Sequence, residues 1–322
     1  LLVGERFLIA EYYLTMKRFE ISVRARRINV YWFFLLVAVF INNSCSNGDQ
    51  MDLKENSAYV TKVFDYKYAP GQHASLIPSD WKGNDFIGKP WTDNKTFTSL
   101  GGWGGYIIAG FDHTVLNGPG KDFAVYTQPG PGSEPAVVYV MQDTNGDGLP
   151  NDGDWIELKG SESDNPETIR HYQVTYTKPV GNGNVTWRDN KGNHGELIPV
   201  FASSSWWWQG YGDQTEITFS GVKLPNAYVN SSTQPDVENW VIRPGLFSWG
   251  YAECYGNQDY NAELKANLFD ISNAVDASGN PVNLTGIRFI KVQSAVFQIA
   301  GWLNEVSTEV SGAVDLSMIN VK

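Results

Sequence analysis

The stretch 136–159 reads AVVYVMQDTNGDGLPNDGDWIELK, and its flanks and its middle settle different questions. Residues 136–142 are apolar and β-branched, while 155–159 alternate apolar with polar side chains, so both flanks read as strands. Between them lies the acidic loop 143–154. Asp143, Asn145 and Asp147 take its first, third and fifth positions, Gly148 the sixth, Leu149 the seventh and Asp154 the twelfth. Oxygen-ligand calcium loops use this spacing: alternate side-chain oxygens, a glycine for the sharp turn, and a carbonyl from the seventh residue. Asn151 or Asp152 supplies the oxygen near the ninth position. Asp154 stands where a bidentate Glu is usual, which implies a tighter loop or single-oxygen ligation. A metal-free hairpin is the competing reading, because Asp, Asn and Gly are ordinary turn residues. Spacing and glycine agree on calcium, here a structural Ca2+ that rigidifies the link between two strands.

Outward from this hairpin the same β pattern repeats. Residues 59–64 open it, and an irregular Pro- and Gly-punctuated loop follows to 94. The run 99–111 (SLGGWGGYIIAGF) enters a strand through glycines. No helix pattern or Lys-Ser/Thr follows them, so they serve close backbone packing and not a phosphate. Further strands are expected at 123–126, 171–177, 185–188, 197–201, 216–219, 222–224, 284–292 and 309–316. Residues 257–274 are the best helix candidate, worth a turn or two. Turn signals about every ten residues, with almost no helix, predict an all-β fold: an antiparallel β-sandwich with long loops, one domain over 59–322.

The N-terminal part reads differently. A basic region from Met16 to Arg27 precedes twelve apolar residues, 30–41, too few to span a bilayer and typical of a secretory signal. Residues 1–15 then lie before the natural start. Cys45 after Ser44 resembles a bacterial lipobox, which implies cleavage before Cys45 and lipid attachment to it, with 45–58 as a polar tether. The competing reading is simple secretion with a free thiol. Cys254 is the other cysteine, so the mature chain has no internal disulfide and Cys254 reads as a buried small residue. Residues 1–44 hold 6 basic and 3 acidic side chains of the 24 and 35 in the chain, which leaves 18 and 32, a net charge of −14. That excludes nucleic acid and anionic lipid as partners, and limits membrane contact to the lipid anchor.

Segments VFDYKYAPGQ (63–72), SLGGWGGYIIAGFDH (99–113), NGPGKDFAVY (117–126) and 134–162 around the acidic loop carry a wider likeness. So do WGYAE (249–253), FDISNAVDASGNPV (269–282), IRFIKVQ (287–293) and GWLNEVSTEVSGAVDL (301–316). Together they resemble a family of Bacteroidetes cell-surface lipoproteins. The resemblance implies a jelly-roll, galactose-binding-like sandwich, lipid-anchored at the outer membrane. It also implies partnership with TonB-dependent outer-membrane receptors, including those of vitamin B12 uptake loci.

Chemistry is sparser. On a strand, Trp206 and Trp208 would share one face and Trp207 the other, a platform for a sugar ring or a corrin; core packing is the alternative. Trp103 joins Trp81 and Trp91 in a looser early set, and Trp249 precedes Glu253, which lies between Tyr251 and Tyr255. The histidines lack metal-ligand spacing, and His113 reads as ending a strand against the backbone. Glu134, Glu157, Glu253 and Glu305 are the carboxylates an acid pair could draw on, but pairing depends on their separation across a cleft. The expected function is therefore non-enzymatic: a surface lipoprotein that binds an extracellular small molecule or glycan, or a corrinoid, for uptake. A secreted carbohydrate-active enzyme and a purely structural or adhesive domain are the alternatives.

Overall fold

The computed structural model describes residues 55–72, 83–90, 97–127, 132–200, 206–301 and 303–320. Residues 54–322 form one compact unit. Cys45, the apolar run 30–41, Trp81 and Trp91 lie outside the described residues, and so does the side chain of Trp206. Among the described residues there is no α-helix, only four 3-10 turns.

The architecture is all-β and antiparallel. A seven-stranded sheet runs β1 (Lys62–Lys67), β3 (Tyr106–Leu116), β17 (Gly286–Ser294), β5 (Ser133–Met141), β6 (Ile156–Leu158) and β16 (Ala274–Val275), with β13 (Ala252–Cys254) also pairing to β5. A five-stranded sheet runs β14 (Tyr260–Asn261), β15 (Ala266–Phe269), β4 (Phe123–Thr127), β18 (Glu309–Asp315) and β2 (Thr98–Ser99). These two sheets enclose the main core, where Ile107, Val138, Val140 and Ile290 meet Phe123, Val125, Val310 and Ala313. A third sheet runs β10 (Glu216–Lys223), β7 (Ile169–Thr177), β8 (Val185–Asp189) and β9 (His194–Leu197), and β11 (Tyr228–Asn230) pairs with β12 (Trp240–Ile242) as a ribbon.

The unbroken apolar run in β5 has a physical cause. Val138 and Val140 face the main core, while Val137 and Tyr139 face a second cluster with Val222, Phe247 and Tyr251. A strand covered on both faces has no use for polar alternation. In β7 the alternation is kept: Tyr172, Val174 and Tyr176 are buried, and His171 and Gln173 are exposed. Cys254 is free and buried.

Two local expectations need correction. Residues 257–274 form no helix beyond a single 3-10 turn, Ile271–Asn273; they contribute β14, β15 and the start of β16. Tertiary pairing wins there: β15 ladders with β4, Phe269 stacks on Phe123 at 5.3 Å, and fully buried Asn267 bonds both the N–H and the carbonyl of Cys254. His113, in turn, sits inside β3 and bridges carboxylates, Asp112 at 3.0 Å and Asp315 at 2.8 Å, instead of bonding backbone.

The glycines of 99–105 do serve backbone approach. Gly101 has φ 68°, and a Cβ there would lie 2.0 Å from the Ala69 carbonyl oxygen. Gly101→Ala should therefore cost more than about 2 kcal/mol, from steric overlap and left-handed strain together. Urea unfolding checks this; a loss below about 0.5 kcal/mol would contradict the packing described.

Candidate functional site

In the acidic loop, Asp143, Asp147 and Asp152 each bring one carboxylate oxygen within 4.8 Å of the others. Backbone donors shape the turn: the Gly148 N–H donates to Asp143 Oδ2, the Asp147 N–H to Asn145 Oδ1, and the Leu149 N–H to Asp147 Oδ1. Gly148 has φ 71°, as its position in the loop requires. The Asn151 amide, with the Leu149 N–H and the Asn145 amide, holds the Asp147 carboxyl below its ordinary range. The Asp143 side chain is only 3% exposed, and Arg288 Nη1 reaches its Oδ2 at 2.5 Å. Its Oδ1 is buried without a partner, as is Oδ2 of Asp152. Buried acceptors cost free energy unless something donates or coordinates to them. Three converging carboxylates with two such oxygens suit a hard cation with oxygen ligands.

One expected ligand differs. Asp154 is not in the cluster; Asp152 takes the closing place. Gly153, at φ 109°, redirects the chain between them, and Asp154 instead borders a separate cleft between sheets. Asn145, Leu149 and Asn151 remain within the same turn, bonded to Asp147 or Asp152.

The tryptophan triplet is placed quite otherwise than a strand would place it. Trp206–Tyr211 is a 3-10 turn, and Trp207 and Trp208 are 0% and 3% exposed. They pack with Trp103, 1% exposed, and with Tyr172, Val174 and Tyr176 beneath the third sheet. Trp208 Nε1 donates to the Gln214 carbonyl, and Trp103 Nε1 to that of Val222. The void beside Trp103 and Trp207 is about 20 Å³, room for one water and not for a ligand. A stacking platform needs an open ring face, and these three rings have none. Trp249 is half-buried, its carbonyl accepting from the Ser161 N–H.

Open aromatic surface lies elsewhere, around the ribbon β11–β12. A depression of about 550 Å³ is lined by Tyr172, Trp187, Asp189, Tyr228, Trp240 and Phe297, among others. A neighbouring one of about 400 Å³ shares Tyr228 and Trp240 and adds Glu134, Glu238, Asn239 and Glu305. Phe297 supports Trp187 edge-on at 4.7 Å. Trp240 Nε1 donates to Glu238, and Gln298 clamps Tyr228 by bonding both its N–H and its carbonyl. Neither Trp187 nor Trp240 stands out in sequence. Trp187 sits in an ordinary alternating strand, and only the fold sets it in one depression with Trp240.

Glu253 does join other carboxylates. Oxygens of Glu134, Glu253 and Glu309 lie within 4.8 Å of one another. Glu253 accepts from the Glu309 N–H, and Glu309 accepts from the hydroxyls of Ser99 and Ser307. Burial, then repulsion from Glu309 and Glu134, raises the Glu253 pKa well above the ordinary range; burial with Glu309 and Glu305 does the same for Glu134. Glu253 also holds φ 54°, a conformation that costs a non-glycine residue about 1 kcal/mol or more and is often kept for function. Such a cluster can share protons or hold a cation. Glu157 is apart from it, paired with Arg170.

Neither a protein-family model nor a curated protein matches this chain.

The glutamate cluster sets a pH dependence. Carboxyls whose folded pKa lies above the unfolded value contribute stability below that value, near 4.5, and lose it as pH rises through the folded pKa. The melting temperature should fall as the pH rises above about 4.5, and Glu253→Gln, which keeps an acceptor for the Glu309 N–H, should flatten the fall. Parallel melting profiles for the two proteins would show that Glu253 does not titrate in this range.

Proposed function

We propose that this chain is a lipid-anchored cell-surface protein whose calcium-stapled β domain captures an extracellular ligand, a glycan or a corrinoid, for a TonB-dependent receptor. The observation that carries the binding role is the pair of depressions sharing Trp240 and Tyr228. Flat rings beside amide and carboxylate groups match the alternating apolar and hydroxyl faces of a sugar, and their rigidity keeps the ordering cost of binding low. Their volumes fall in the roughly 300–1,000 Å³ range of small-ligand sites. The calcium reading is supported by the unpartnered oxygens of Asp143 and Asp152.

Titration with a glycan panel and with cyanocobalamin, followed by calorimetry, tests this reading and separates the two ligand classes. Trp240→Ala should weaken binding at least tenfold with the melt unchanged. No response to either class leaves a structural or adhesive domain as the account. For the staple, calcium at about 100 times its dissociation constant should add about 2.7 kcal/mol, a rise of several degrees in melting temperature. Chelation should reverse the rise and Asp147→Ala should abolish it. A melt indifferent to calcium would remove the ion from the proposal.

A specific observation favours a second reading, a carbohydrate-active enzyme. Glu134 borders the 400 Å³ depression and has buried Glu253 behind it, and burial with repulsion from Glu309 and Glu305 raises its pKa, which favours the protonated form an acid catalyst needs. Retaining glycosidases place their two carboxyls about 5–5.5 Å apart across the scissile bond, whereas Glu253 does not line the depression. Release of reducing ends from mixed polysaccharides, lost in Glu134→Gln, would establish this reading over the first.

A further inference from the structure

A separate cleft of about 720 Å³ opens between the outer face of β17 and the paired ends of β7 and β10. Its floor carries Lys291 and Gln293, two positions apart on β17 and so on one face. Lys291 is half-buried, with its ammonium 4.8 Å from the ring centre of Tyr106 and 5.2 Å from that of Tyr139. Among the described residues it makes no hydrogen bond or ion pair. Asp65, the carboxylate whose charge acts on it, already accepts from the Tyr106 hydroxyl at 2.7 Å. Burial lowers the Lys291 pKa to about 8, which leaves it largely charged at neutral pH.

Gln293 is 2% exposed and donates its amide N–H groups to the carbonyls of Gly104 and Ser220. Those bonds fix the amide, and its Oε1 is left buried with no partner. The floor thus presents an unpaired cationic donor beside a fixed amide whose Oε1 is turned against Gly221. Arg170, the other strong cation of the cleft, is taken up by Glu157. Trp155 supplies an aromatic wall, and Asp154 and Asp276 stand exposed or half-buried in the lining.

We infer that this cleft is a second binding site, distinct from the Trp240 depressions, for a small hydroxylated carboxylate of the sugar-acid class. The carboxylate pairs with the Lys291 ammonium. The carbon face of the ring rests on Trp155, and outward hydroxyls donate to Asp154 and Asp276. A charge partner is what the floor lacks, and the carboxylate of such a ligand supplies it. A neutral sugar would leave the ammonium without its counter-charge.

Calorimetric titration of the full chain with D-glucuronate, D-galacturonate and N-acetylneuraminate, beside methyl glucoside, tests the site. At least one acid should bind saturably, and at least tenfold more tightly than methyl glucoside. Lys291→Met, which keeps the length of the side chain, should lose that binding at least tenfold while melting no lower than wild type, because an unpaired charge has been removed. Lys291→Gln serves as a second variant should the first fail to fold. Trp240→Ala should leave sugar-acid binding intact, which separates this site from the one proposed above. No saturable binding of any acid, or equal binding by wild type and Lys291→Met, overturns the inference.

Discussion

Burial of both faces of the central strands β5 and β17 is the constraint on which the rest of the molecule depends. One face of each enters the core between the two large sheets, through Val138 and Val140 from β5 and Ile290 and Val292 from β17. Each such side chain contributes about 1.5–3 kcal/mol when fully buried. The other face is covered by the third sheet and by the cluster around Tyr251 and Phe247. Gln293 finds two carbonyls, and Lys291 rests against tyrosine rings.

The same strands organise the charge. At one end of β5, Glu134 meets Glu253 and Glu309; past its other end, Asp143 opens the acidic loop. Arg288 of β17 ties that loop to the sheet, donating to Asp143 and to the Phe111 carbonyl of β3. His113 of β3 reaches Asp315 of β18 and so links the two large sheets. These acidic side chains are gathered near strand ends, and their repulsion is met by backbone donors and by single cations.

Much of the fold was legible because it rests on local period and local turn chemistry. The alternation at 171–177 gave the buried and exposed faces of β7 correctly, and the glycines of 99–105 announced backbone contact. The acidic loop could be read because its carboxylates lie within ten residues of one another. Of the turn or two of helix expected at 257–274 only the 3-10 turn Ile271–Asn273 forms, because pairing with β4 and burial of Asn267 outweigh a weak helical propensity. The tryptophan triplet left platform and core open, because an indole suits both, and burial places Trp207 and Trp208 in the core.

By itself, then, the sequence determined the all-β class, the strand periods, the acidic loop with its turn glycine, and a free buried Cys254. These depend on residues near one another in the chain. Only the tertiary structure decided that Trp103, Trp207 and Trp208 are core, that Asp152 converges with Asp143 and Asp147, and that Trp187 and Trp240 line one depression. It also decided that Glu134, Glu253 and Glu309 converge from β5, β13 and β18. The physical reason is common to all of these: burial and electrostatic coupling act through distance in space, and strand pairing brings together residues that sequence spacing keeps far apart.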